Sequence, residues 1–408
     1  MRKKIEWVQY ELVLKTPFTV SYGSSSTRTA FLIRTDDGGF GEGTIPFYYG
    51  IPFAAMTAAW GRAAGKFFPE TVDEIPAAIE PGIPAPAAAA LDIAYHDRLA
   101  RKLGVGLYAL IGLARPAPVP TSYTISLDRP EVMAEAALRV KSFPFLKVKL
   151  GTPGKESLDE ERIRAIRAAR PDARIRVDAN AAWDAEGAIA LIRRLEKYDL
   201  ELVEQPTAAD DIAGMGRVQK ATGLPVVADE SVRTLADIDR LHEAGVRGVN
   251  VKLMKCGGIA PAIAIARRAK EYGMGVMLGC MVETSAGVSA MAALVSLADW
   301  IDLDTPLLTA NDPFEGLSYD EKGSLLPTAG FGLGVALKKE ARGLFGGSAL
   351  GTDPPGSPSP TAGPRRAPAS PSLRAPPPRR ALPDPRPRSR GLGPRPGSGT
   401  PPGPSPST

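Results

Sequence analysis

Three short apolar runs each end in an acid, and their spacing constrains the fold more than any other feature of the chain. RIRVDAN carries Asp178, LELVEQP carries Glu204 and LPVVADES carries Asp229. The acids lie 26 and 25 residues apart, about the length of one strand plus one helix. A βα repeat of that length brings the end of each strand to one rim of a parallel barrel. Three carboxylates from adjacent strands then converge. Hard oxygen ligands at one rim suit Mg²⁺, which keeps positions open for substrate oxygens and water. Acids after strands also cap helices, but that explanation suits one acid better than three at matched strand ends.

From residue 121 the chain alternates strand and helix. Strands are expected over 121–126, 145–150, 174–179, 200–204, 225–229, 248–253, 275–281 and 300–304, with helical periodicity over 160–169, 185–198 and 235–243. Eight such strands argue for an α/β fold of the TIM-barrel type. Residues 1–118 read as a separate α+β unit. Alternation over 5–14 predicts a strand, and 30–34 and 39–42 flank Asp36, Asp37 and Gly38, a hairpin signal. Residues 21–29 (SYGSSSTRT) read as a polar loop, and 45–52, with Phe47, Tyr48 and Tyr49, as a second; both are placed to act as lids. Alanine-rich helices are expected over 53–68 and 84–103. The barrel takes 119–315, and 316–345, which lacks the repeat, is expected to return to the first unit.

The net charge of +5 misleads. Past residue 350 nine arginines stand against Asp353 and Asp384, so that tail carries +7 and the rest of the chain −2. Residues 346–408 are rich in Pro, Gly, Ser and Arg and are expected to be disordered. The tail lacks aromatic residues for base stacking, which argues against specific nucleic-acid binding. Two cysteines, Cys256 and Cys280, exclude a disulfide framework and favour a reducing compartment. The N-terminal stretch lacks the apolar core of a signal peptide, and no apolar run is long enough to span a membrane. A cytoplasmic protein with no membrane partner is expected.

The second strand ends FLKVKLG. Side chains two apart share a face, so Lys147 and Lys149 point one way and Val148 the other. The sixth strand runs into NVKLMKCGG, with Lys252 near its end. In a ring of eight these strands stand opposite each other, with the three acids between them. Burial and a second ammonium group lower a lysine pKa, which would make Lys149 a base near neutral pH. Lys255 and Lys141 read as solvated lysines beside strands. Two opposed lysines beside a divalent ion imply removal of a proton next to a carboxylate on one face and its return on the other: a racemase or epimerase. One idle lysine would instead give an elimination or a cycloisomerisation.

The KxK pair, DAN, EQP, ADES and VKLMKCGG together resemble the enolase superfamily, muconate-lactonizing-enzyme subgroup, over residues 1–345. The resemblance implies a modified (β/α)₇β barrel under an N-terminal α+β capping domain. It also implies Asp178, Glu204 and Asp229 as ligands of one Mg²⁺ per subunit, Lys149 and Lys252 as the acid/base pair and Lys147 as an auxiliary lysine. Asn180 and Glu230 would support the ligands. Members that resemble mandelate racemase use a histidine after the seventh strand. Here LGCMVETS has none, and His96 and His242 read as ordinary helix residues.

The eighth strand, WIDLDTP, places Asp302 and Asp304 on one face. Paired anions beside a substrate call for a cation. This DxD is similar to that of the subgroup's dipeptide epimerases, in which it binds the substrate ammonium. GCMVETS resembles their GCMxES, with Thr284 in place of Ser, and TSYTIS, with Thr124, resembles their first barrel strand. The implied substrate is a dipeptide, L-Ala-D/L-Glu of cell-wall peptides or a related one, inverted at its C-terminal α-carbon by a homo-oligomer. Arg28 could meet an acidic side chain, Tyr48 an apolar or aromatic one, and Glu283 either substrate or a supporting residue. The enzyme alternatives are an o-succinylbenzoate synthase, an N-acylamino acid racemase and a muconate cycloisomerase. A non-catalytic binding protein on the same scaffold is the alternative of another class.

Overall fold

The structure is a computed structural model and describes residues 4–152 and 154–345. The basic tail expected over 346–408 lies outside the described residues. No described helix is long and apolar enough to cross a membrane.

The chain opens with an antiparallel sheet in the order β1 (Ile5–Val20), β2 (Gly23–Thr35), β3 (Phe40–Thr44). Residues 21–29 therefore form no loop: apart from the turn at Ser21 and Tyr22 they belong to a long hairpin. Pairing resumes beyond a register shift between Val13 and Phe18, with Phe18 opposite Ser25 and Val20 opposite Gly23. The run of Ser and Thr looked like a loop because it is polar, yet a ladder that faces water on one side accepts such residues. Two long helices follow, α1 (Phe53–Ala63) and α2 (Ala85–Leu103). Phe31, Ile33, Trp60, Leu91 and Tyr95 form the core between sheet and helices. β3 lies almost on the backbone of α2. A Cβ on Gly41 would meet the Ala90 carbonyl oxygen at 2.0 Å, and one on Gly39 the Ala94 carbonyl at 2.4 Å. Alternating glycines against alanines permit this approach.

Eight parallel strands then follow in consecutive order: Tyr123–Ile125, Phe145–Lys149, Arg174–Asp178, Leu200–Glu204, Val226–Ala228, Gly248–Val251, Gly275–Gly279 and Trp300–Asp302. They form a nearly closed barrel. At the seam Ser122 N donates to Ile301 O at 3.1 Å. Buried Arg176 reinforces it by donating to the same carbonyl at 2.9 Å. Period-two alternation sorts the side chains. Leu146, Val148, Ile175, Val177 and Val203 pack outward under the helices. A small plug of Leu202, Val227 and Met277 fills the interior below the charged rim.

After the eighth strand the chain returns to the N-terminal sheet. Phe40 packs edge-on against Phe314 at 5.4 Å and against Phe345 at 6.2 Å. Asp97 on α2 accepts from Phe40 N at 2.8 Å and Leu333 N at 2.7 Å. Asp92 reaches the barrel: its Oδ1 accepts from Ile259 N at 2.6 Å, the first residue of α3 (Ile259–Glu271), which follows the sixth strand. Gly258 before it has φ 129°, and a Cβ there would meet Asp92 Cγ at 2.4 Å.

Candidate active site

A cavity opens at the C-terminal rim of the barrel. Phe18, Arg28, Tyr48 and Tyr49 line it from the N-terminal segment; Thr124, Lys147, Lys149, Asp229, Lys252, Cys280, Asp302 and Asp304 line it from the strand ends.

Asp178, Glu204 and Asp229 end three neighbouring strands, and each has a carboxylate oxygen within 4.8 Å of the others'. All three are buried. The protein holds one oxygen of each. Asn180 N donates to Asp178 Oδ1 at 2.9 Å, Asn250 Nδ2 to Glu204 Oε1 at 2.8 Å, and Lys255 Nζ to Asp229 Oδ1 at 2.5 Å. The other oxygens turn inward. Left-handed turns after two of the strands help to set this: Asn180, Ala181 and Gln205 have φ of 43°, 59° and 36°. Glu204 Oε2 forms an ion pair with Lys147 Nζ at 2.7 Å but receives no well-directed hydrogen bond. Three buried, inward, all-oxygen donors fit a hard divalent cation. Burial and then the neighbouring Asp178 push Glu204 up to about 8. Burial acts on Asp178 in the same sense, but Lys149 and Lys147 outweigh it and hold the carboxyl at about 2.

The lysines meet the same inward oxygens. Lys149 Nζ lies 2.7 Å from Asp178 Oδ2, and across the mouth Lys252 Nζ lies 2.7 Å from Asp229 Oδ2. Lys147 sits between the acids, at 2.7 Å from Asp302, 2.7 Å from Glu204 and 3.1 Å from Asp178. Burial does lower Lys147 and Lys252, but carboxylates outweigh it and hold both well above the usual lysine range: Asp302 and Glu204 around Lys147, Asp229 beside Lys252. Lys255 is no surface lysine. It is buried, and its Nζ donates to the carbonyl and carboxylate of Asp229 and to Asn250 O. It stands three positions after Lys252 in a short helical turn, Leu253–Cys256, which returns it to the rim. Asn250 shares the Lys252 face by strand alternation, the one pattern in the sequence that marks it as a rim residue.

Asp302 and Asp304 both face the cavity, in different states. Asp302 is engaged by Lys147 at 2.7 Å and by Ser122 Oγ at 3.0 Å. Asp304 Oδ2 accepts from Thr124 N at 2.7 Å. Burial and then Asp302 push Asp304 up to about 7. Arg28 lies in β2 with its guanidinium toward the cavity. Its Nε is buried without a hydrogen-bond partner, and no ion pair engages Arg28 among the described residues. Tyr48 stacks on Tyr22 of the hairpin turn at 4.4 Å, which joins the two rim segments. Asn180 Nδ2 donates to Glu230 Oε1 at 3.3 Å, and both residues line the cavity. Glu283 stands beside the cavity-lining Met281 and Val282, and its side chain accepts from Met281 N at 2.7 Å.

Residues 131–341 match the family model described as enolase C-terminal domain-like. The chain is 36% identical over 346 residues to an L-Ala-D/L-amino acid epimerase of Maribacter sp., a match that spans 82% of this chain and 100% of that protein. A dipeptide epimerase from Enterococcus faecalis V583, solved with Mg and the dipeptide L-Leu-L-Tyr, superposes with a TM-score of 0.77 at 32% identity. That match covers 82% of this chain and 100% of the other. An N-succinyl Arg/Lys racemase from Bacillus cereus gives 0.78 at 29% identity, over 84% and 97% of the two chains. With this barrel, these strand-end acids and these relatives, the chain belongs to the enolase superfamily.

Proposed function

We propose that the protein is a Mg²⁺-dependent epimerase that inverts the C-terminal α-carbon of a dipeptide. One observation carries the reading: Lys149 and Lys252 approach a single cavity from opposite strands, each within 2.7 Å of an acid of the Asp178–Glu204–Asp229 group. In this reading Asp178, Glu204 and Asp229 hold one Mg²⁺ per subunit, with Asn180 and Glu230 as supports. The chemistry a bound Mg²⁺ supplies is that of a Lewis acid, neutralising charge that builds on the substrate carboxylate.

The lysines do the proton transfer. The amine of one takes the α-proton, and the C–H electron pair moves into the carboxylate to give an enediolate. The ammonium group of the other delivers a proton to the opposite face, and configuration inverts. Two bases on opposite faces make the reaction reversible, with the lysines exchanging roles by direction; a cation held by Asp229 would offset the carboxylate charge that keeps Lys252 protonated. Lys147, between Asp302, Glu204 and Asp178, stays protonated and balances the carboxylates. Asp304, with Asp302 behind it, receives the substrate ammonium; Thr124 orients Asp304. Arg28 offers a half-buried cation on the cavity wall that has no ion pair among the described residues, which favours an acidic side chain, as in L-Ala-D/L-Glu or a related dipeptide. Tyr48 closes the apolar side. Cytoplasmic location and homo-oligomeric assembly belong to the same proposal.

A second reading, an N-acylamino acid racemase, has support in the engagement of Asp302 by Lys147 and in the likeness to the N-succinyl Arg/Lys racemase. An acylated substrate has no ammonium group for Asp304. Asp304→Asn separates the two. Loss of a charge-assisted contact should raise KM for a dipeptide by roughly ten- to a hundredfold. An unchanged KM for dipeptides, with turnover of N-acylamino acids, would favour the racemase.

A further inference from the structure

We propose that Glu42 is a positioning residue: from the N-terminal sheet its carboxylate anchors the helix after the seventh barrel strand and so sets the cavity wall at 280–282. This inference rests on the dipeptide reading only for its kinetic consequence.

Glu42 is fully buried in β3. Its oxygens accept from Thr284 N at 3.0 Å, Thr284 Oγ1 at 2.5 Å and Gly287 N at 3.1 Å. These donors sit at the start of α4 (Ser285–Ala292), where unpaired N–H groups favour an anion. A carboxylate 242 positions away in sequence thus caps this helix. The segment it fixes is the one that reaches the cavity: Cys280, Met281 and Val282 line it, directly before Thr284. Glu283, within that segment, grips Met281 N and stands beside Glu42. A Cβ on Gly287 would meet Glu283 Oε2 at 2.4 Å and Glu42 Oε2 at 3.0 Å, so both carboxyls crowd the one place that lacks a side chain.

The remaining charged groups around the pair are Asp312 and Lys252. Asp312 accepts from Ser285 N at 2.9 Å and acts on Glu42; Lys252 faces Glu283 from the sixth strand. Burial pushes Glu42 up to about 7 against the opposing Thr284 hydrogen bonds. Burial and then Glu42 carry Glu283 well above the usual carboxylate range. A glutamine at 42 keeps one oxygen in place to accept from Thr284 Oγ1 and Gly287 N, so it should restore most of the anchor.

The test uses the full chain in two assays. Amide hydrogen exchange by mass spectrometry reads the anchor without any substrate. Glu42→Ala should exchange at least about tenfold faster over 280–288 and unchanged in the other barrel strands. Steady-state kinetics on a dipeptide reads the consequence: KM up by about tenfold and kcat within about threefold, with Glu42→Gln restoring KM to within about threefold of wild type. If the alanine variant does not fold, Glu42→Asp, one methylene too short to reach Thr284 N, is predicted to show both effects. Unchanged exchange over 280–288 overturns the proposal, as does a fall in kcat with KM unmoved. If wild type turns over no dipeptide, the reaction assignment fails while the exchange assay still decides the anchor.

Discussion

Replacing Lys147 with methionine removes one ammonium group from the centre of the acidic rim and keeps most of the side chain's length. Lys147 is 2% exposed and lies within 3.1 Å of Asp178, Glu204 and Asp302. Taking one partner out of a buried ion network costs roughly 3–5 kcal/mol, because the remaining charges stay buried and uncompensated. Protonation offers a partial escape. Glu204 is already pushed up to about 8, and loss of Lys147 raises it further. A carboxyl whose folded pKa exceeds its unfolded value binds more protons when folded, so its contribution is present at low pH and lost as pH rises through the folded pKa. The variant should therefore lose about 3 kcal/mol near pH 6 and about 5 kcal/mol near pH 9. Urea unfolding with a chelator present, at both pH values, measures this. Adding Mg²⁺ should recover more stability in the variant than in wild type, since an ion that binds only the folded chain replaces the missing positive charge. A loss under about 1 kcal/mol at both pH values would refute the charge-balance argument.

Two further predictions concern stability and specificity. Gly258→Ala adds a Cβ at φ 129° within 2.4 Å of Asp92 Cγ, so backbone strain and loss of the Asp92 cap on Ile259 N should together cost about 2–4 kcal/mol; a urea midpoint close to wild type would contradict this. Arg28→Met should lower kcat/KM for L-Ala-L-Glu by about tenfold or more and leave an apolar dipeptide within about threefold, whereas equal losses would show that Arg28 shapes the rim without reading charge.

The barrel was legible because its strands alternate at period two and recur at a fixed interval. That pattern also brings Asp178, Glu204 and Asp229 together, since each ends a strand. The sequence signal fades where position depends on partners far along the chain. The hairpin turn at Ser21 and Tyr22 was hidden because polar residues in a ladder look like a loop. Lys255 reads as a solvated lysine because a single helical turn, and no strand alternation, aims it at Asp229. Glu283 follows a strand, yet its side chain turns back to accept from Met281 N. Glu42 gave no signal at all, for its partners are 242 and 245 positions away. Nor does any local pattern tell that carboxylates outnumber the effect of burial on Lys147 and Lys252; that depends on the assembled rim.

The most direct test of the central claim is deuterium exchange in D₂O with Mg²⁺, following L-Ala-L-Glu and L-Ala-D-Glu by mass spectrometry and chiral analysis. Wild type, Lys149→Ala and Lys252→Ala are compared. Wild type should invert the C-terminal α-carbon and take up one deuteron. Each lysine variant should lose inversion by at least about 10²–10⁴-fold yet still exchange the α-proton of one epimer, and the two variants should choose opposite epimers. No exchange by wild type with any dipeptide, or inversion by either single-lysine variant at the wild-type rate, would contradict the two-lysine account.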